Sequence, residues 1–124
     1  MASLQFKPMI ISYLKYRRKA QGKYHLHSPL VYDLYEKVLE PCCRGASHAS
    51  LDEELKSFIN ANPLIFKSDD VVMIVKDIHR NKQNEADWER LKNDEKVRLS
   101  IDCWHFGMIF VMDRIKKEHY ILKV

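Results

Sequence analysis

Residues 69–79 read Asp-Asp-Val-Val-Met-Ile-Val-Lys-Asp-Ile-His, and the apolar run at 71–75 decides how the rest is read. A short, β-branched run bounded by charge predicts a strand covered on both faces, as in a parallel α/β sheet. Asp77, Ile78 and His79 then fall at the carboxyl end of the strand, where open α/β sheets gather their chemistry. Downstream, Asn81 is placed to cap a helix over about 82–93, with Ala86, Trp88 and Leu91 as its contacts. Val97, Leu99 and Ile101 alternate with Arg98, Ser100 and Asp102, the period of a strand with unlike faces. A further strand runs from Trp104 to Val111. The joint around Cys103 to Gly107 is expected to be a tight turn or bulge, with Gly107 relieving the backbone. After a charged turn, Tyr120 to Val124 forms a last apolar segment.

Upstream of the strand the periodicity is helical. Leu4, Ile10, Ile11, Leu14 and Tyr13 suggest a helix over 9–20, stopped near Gly22. Ser28-Pro29 reads as a helix start: the hydroxyl caps free N–H groups, and proline at the first position lacks an N–H to leave unpaired. Leu30, Val31, Leu34, Tyr35 and Val38 form its apolar stripe, and Pro41 is expected to end it. Residues 41–49 have turn character. Ser50 and Glu53 make a capping box for a third helix, with Leu51, Leu55, Phe58 and Ile59 inward and Asn60 to Pro63 at its end.

The chain has 124 residues, 46% of them hydrophobic and 31% charged, which suits one soluble domain spanning 1–124. It is divided into an N-terminal helical part (1–45) and a C-terminal α/β part (46–124). No stretch approaches the ~18 apolar residues of a membrane span. The charge of the N-terminus comes after its apolar run, the reverse of a secretory leader, so a cytoplasmic protein with no membrane contact is expected. Cys42, Cys43 and Cys103 offer no framework of spaced pairs; the vicinal Cys42-Cys43 is either a redox or soft-metal site or, as preferred, ordinary reduced thiols. Residues 1–50 hold eight Lys/Arg against three Asp/Glu, whereas 51–124 hold thirteen against fourteen. The basic segment Lys15, Arg17, Arg18, Lys19, Lys23 either faces a nucleic acid or lipid surface or is a solvated helix end.

Asp77 and His79 are the catalytic candidates, as an acid–base pair or as part of a metal site. Their alternative is structural: a local backbone cap and a partly buried ring. A metal would need further ligands from the unplaced His25, His27 and Asp102, and no metal site is assigned. His25 and His27 flank Leu26 on an extended segment, either as a chelating pair or beside the helix N-terminus at Ser28. Trp104, His105 and Phe106 either stack on a planar ligand or pack internally. Nucleophilic catalysis lacks a G-x-S-x-G motif. Gly22, Gly45 and Gly107 are isolated, so no G-x-G-x-x-G loop can be drawn to bring backbone against a nucleotide-like cofactor.

Two segments carry a family resemblance. KYRRKAQGKYHLHSPLVYDLYEKVL resembles the start of a bacterial family of class I S-adenosylmethionine-dependent methyltransferases. It has a basic helix and then a His-Ser-Pro motif at His27, Ser28 and Pro29, with Leu30 in an aromatic position. Residues 71–124 resemble the family's C-terminal part, through Asp77-Ile78-His79 at a strand end, Trp88 on a helix and Gly107 in a hairpin. Only residues 40–69 lie between, where the family has its glycine-rich loop, ribose-binding acid and following strands. The resemblance implies a truncated Rossmann-like methyltransferase fold: a small mixed sheet of three to four strands near 70–77, 97–102, 105–112 and 119–123, the last three partly antiparallel, with N-terminal helices. It makes His27 and Ser28 candidates for cofactor contact. It also implies S-adenosylmethionine in intact relatives and none expected in this chain. Relatives usually carry two successive acids at the strand end; Lys76 before Asp77 works against a divalent cation.

The chain is thus expected to be a methyltransferase-like protein serving as a non-catalytic oligomerisation or interaction module. Strand 70–77 would expose an apolar edge to a second copy. A composite-site methyltransferase and a nucleic-acid binder using the basic helix are the alternatives.

Overall fold

The computed structural model describes residues 14, 16, 18–22, 26–43 and 50–123. The chain divides into two compact units, one of Met1–Ala20 with Val71–Lys123 and one of Gln21–Asp70. Of the expected first helix, residues 14, 16, 18 and 19 are helical; Leu4, Ile10, Ile11 and Tyr13 lie outside the described residues. Leu14, expected to face inward, is exposed, and Tyr16 is buried.

The second unit is helical. α1 (Pro29–Leu34) starts at Ser28, whose hydroxyl accepts from Val31 N at 3.3 Å. Loss of this cap costs about 1 kcal/mol. The helix does not end at Pro41: it widens into a π-helical turn (Tyr35–Leu39) and continues as α2 (Glu40–Cys43). Glu40 N donates to Tyr35 O, a bond one residue longer than the α-helical one. Proline cannot donate, and its ring crowds the carbonyl four residues back; the wider turn just before Pro41 makes room for it. Val31, Leu34, Tyr35, Val38 and Leu39 form the buried stripe. α3 (Leu51–Asn60) packs against the π-turn, with Leu55 and Phe58 buried and the Ser50 hydroxyl accepting from Glu53 N at 3.2 Å. Phe66 closes against Phe58 edge-on, with ring centroids 6.0 Å apart.

The first unit carries an open mixed sheet of four strands, so the fold is α/β. β1 (Val71–Lys76), β2 (Leu99–Asp102), β3 (Phe106–Val111) and β4 (Glu118–Ile121) lie in the order β1-β3-β2-β4. β3 runs antiparallel to both of its neighbours, and β4 runs parallel to β2. The strands fall within about two residues of their expected places, and an antiparallel pairing among the last three is present.

Two expectations about the strands are corrected. β1 is not a parallel strand covered on both faces: it pairs antiparallel with β3 alone among the described strands, leaving Val71 and Met73 exposed. β2 does not have one wet face, because Ser100 and Asp102 are buried along with Leu99 and Ile101. The reason is positional: β2 is central and β1 is at the rim.

α4 (Lys82–Lys92), capped by the Asn81 side chain on Asn84 N at 2.8 Å, packs against β3. Trp88 joins Ile78, Val97 and Ile109 in the core, with Val75, Leu91 and Val111 against them. A Cβ at Gly107 would stand 2.3–2.9 Å from the Trp88 ring. Gly107 is therefore there to let the indole touch the strand, not to ease a turn. The β2–β3 connection is a tight turn with Trp104 and His105 at its tip, closed by Cys103 N donating to Phe106 O at 2.9 Å. No described helix is long and apolar enough to cross a membrane.

Candidate functional site

The strand end at residue 77 separates the two residues that the sequence pairs. Asp77 has φ 57°, a left-handed conformation that aspartate tolerates better than most residues. Its work is done by backbone: its N–H donates to His105 O at 2.8 Å, and its carbonyl accepts from Arg80 N at 3.1 Å and Asn84 Nδ2 at 3.0 Å. These bonds turn the chain from β1 toward α4. The carboxylate points outward, 4.0 Å from the Arg80 guanidinium with both side chains well exposed. The expected Asp77–His79 acid–base pair is not formed.

His79 instead meets residues brought in from elsewhere. Its Nδ1 lies 2.8 Å from Glu85 Oε2 on the first turn of α4, and its Nε2 lies 2.6 Å from Asp102 Oδ2 at the end of β2. Trp104 lies nearly parallel to its ring, with centroids 4.4 Å apart and planes inclined by 12°. Tyr16 adds a tilted contact to Trp104 at 5.3 Å, and its hydroxyl donates to Leu122 O. The other oxygen of Asp102 accepts from Trp104 N at 2.9 Å. Trp104 has φ 70°, costly for a bulky residue; the Asp102 bond and the His79 stack hold it there.

Ionised carboxylates only accept, so an imidazole facing one on each nitrogen satisfies both only when both nitrogens carry protons. Burial disfavours the cation, but hydrogen bonds and charge from Asp102 and Glu85 outweigh it, and the His79 pKa rises above 6.5. The cation then lies against an indole face, a further attraction. In the protonated form that these contacts favour, both ring protons are engaged and His79 offers no lone pair to act as a base.

Stability should therefore depend on pH. Since the folded pKa is raised, the stability due to His79 is complete below the unfolded value of about 6.5 and fades as pH rises through the folded value. His119 acts in the opposite sense: burial, then Lys92 and Lys117, lower its pKa, so its contribution is lost toward acid pH. Comparison with His79→Gln isolates the first effect. Urea unfolding is expected to show a larger gap between wild type and variant at pH 6 than at pH 9; equal gaps would refute it.

The remaining candidates are not gathered here. His27 is exposed, and the Ser28 hydroxyl is spent as the α1 cap. His25, Lys15, Arg17 and Lys23 lie outside the described residues, while Arg18 and Lys19 are exposed. Among the described residues no group of three His, Cys, Asp or Glu is arranged to hold a metal ion. Cys42, Cys43 and Cys103 form no disulfide. Burial first, then Glu54, raises the Cys42 pKa; burial, then Cys42, raises that of Cys43, so neither is an activated thiolate. Ser100, buried on β2, is hydrogen-bonded to His119 Nδ1 across the β2–β4 pair.

Sequence reading missed Glu85 and left Asp102 unplaced. The signal for Glu85 was its position as an acid in the first turn of a helix just after a histidine. No family model, curated protein or solved structure matches this chain.

Proposed function

We propose that the chain is a methyltransferase-like, non-catalytic interaction module that works through the rim of its sheet. The observation that carries this reading is the state of His79. His79, the catalytic candidate held inside the strand-end cluster, has both nitrogens committed to Glu85 and Asp102 and one face to Trp104. Such a ring positions structure rather than moving protons.

The spending of the other candidate contacts supports the same reading. An adenosyl cofactor in an α/β fold needs backbone free of side chains near a strand end. The glycine next to the β2–β3 turn, Gly107, has its open face filled by the Trp88 indole. Ser28 gives its oxygen to the helix start. Both uses count against an adenosyl ligand at Gly107 or Ser28, and no chemical step is assigned to it.

Calorimetric titration with S-adenosylmethionine tests the proposal. No heat of binding at micromolar to millimolar cofactor is expected. Clear micromolar binding abolished by a substitution at Asp77 or His79 would overturn it in favour of a composite-site methyltransferase.

A further inference from the structure

We propose that β1 pairs with β1 of a second copy of this chain, antiparallel about a two-fold axis through Met73. This deepens the interaction-module reading, on which it rests, by naming the partner and the register.

The directions of the main-chain groups come first. In the β1–β3 ladder Val71 faces Val111 and Met73 faces Ile109, so Asp77 faces His105, to whose carbonyl its N–H donates at 2.8 Å. Antiparallel ladders alternate hydrogen-bonded and non-hydrogen-bonded pairs. Val71, Met73 and Val75 therefore spend their main-chain groups on β3, and those of Val72, Ile74 and Lys76 point to the rim. Among the described residues no strand lies on that side.

Natural edge strands are usually guarded by proline, a bulge or inward charge. From Val71 to Val75 this one has none of these, and its register with β3 is unbroken over six pairs. Val71 and Met73 are 50% and 43% exposed, on the face that also carries the core contact of Val75.

Self-pairing is favoured over a foreign strand by the pattern of charge. With Met73 on the axis, Val72 faces the partner subunit's Ile74, and the two exchange the rim hydrogen bonds. Val71 faces the partner subunit's Val75, and the two Met73 side chains cover each other. One step further, Asp70, whose carboxylate also accepts from Lys67 N at 2.8 Å, comes opposite the partner subunit's Lys76, and by symmetry Lys76 comes opposite the partner subunit's Asp70. Opposite charges thus sit at both ends of an apolar stretch, in the one register that also centres it. At Asp77 the left-handed turn takes the chain out of the ladder, so pairing stops there.

Symmetry makes a decisive test available. Asp70→Lys and Lys76→Asp each place like charges opposite one another at both ends of the pairing. Each single variant should raise the apparent dimer dissociation constant about tenfold or more. An equimolar mixture of the two should restore dimers, because each facing pair of the heterodimer joins a cation to an anion and the repulsion of the homodimers is absent; unfolded variants could not do so. Sedimentation equilibrium reads all three samples against the wild type. A monomeric wild type at tens of micromolar would overturn the proposal, as would singles that dimerise like the wild type or a mixture that gains nothing. Its failure is separable from that of the non-catalytic reading. A monomer that ignores S-adenosylmethionine removes only the dimer, and a dimer that binds it removes only the non-catalytic assignment.

Discussion

Replacement of Trp88 by alanine is expected to lower the unfolding free energy of the sheet unit by about 3–5 kcal/mol, close to the upper end for a core aromatic. The indole is 2% exposed and lies between α4 and the glycine of β3, so its removal opens a cavity that a rigid strand cannot fill. Gly107→Ala alone should cost about 1–3 kcal/mol, because its methyl group would overlap the ring. The informative sample combines the two. With the ring gone the added methyl meets no obstacle, so Gly107→Ala on the Trp88→Ala background should cost far less than on the wild type. Denaturant unfolding of the four proteins measures the coupling. Additive losses would mean that the indole and the glycine do not touch.

The second large effect is expected at Asp102. Its side chain is 10% exposed and that of His79 15%. Asp102→Ala leaves a nearly buried imidazolium with a single counter-charge, and the Trp104 N–H without its acceptor in a left-handed turn. Breaking a pair of this kind costs about 3–5 kcal/mol. Asp102→Asn keeps an acceptor for Trp104 but loses the charge, and should fall between the alanine variant and the wild type. Glu85, at 30% exposure, is more open to water, so Glu85→Gln should cost less than Asp102→Ala. Unfolding at pH 6, where His79 is protonated, is the measurement. A loss under about 1 kcal/mol for Asp102→Ala would class the pair with ordinary surface ion pairs.

These two expectations share a cause that bears on function. The His79 cluster ties α4, β2 and the β2–β3 turn together through charge, while Trp88 ties α4 to β3 through area. Both fasten a helix to one sheet face. Among the described residues no strand pairs with the outer edge of β1, and the proposed self-pairing uses that edge.

The sequence by itself determined what is local. Ser28, Ser50 and Asn81 mark helix starts because a short polar side chain reaches an N–H only a few residues away. Strand positions were legible because short apolar, β-branched stretches bounded by charge or turn residues mark extended segments. The tertiary structure decided whatever depends on which distant segments meet. Nothing in the run Val71 to Val75 says whether the strand lies at the centre of a sheet or at its rim, since the apolar pattern is the same until its neighbours are placed. His79 and Asp102, 23 residues apart, meet only because β3 lodges between β1 and β2 and carries the Trp104 turn over the imidazole. Even the fate of Pro41 was decided outside its own turn. Proline dictates that a hydrogen bond be lost, but the packing of Val38 and Leu39 into the helical unit favours a widened helix over a broken one.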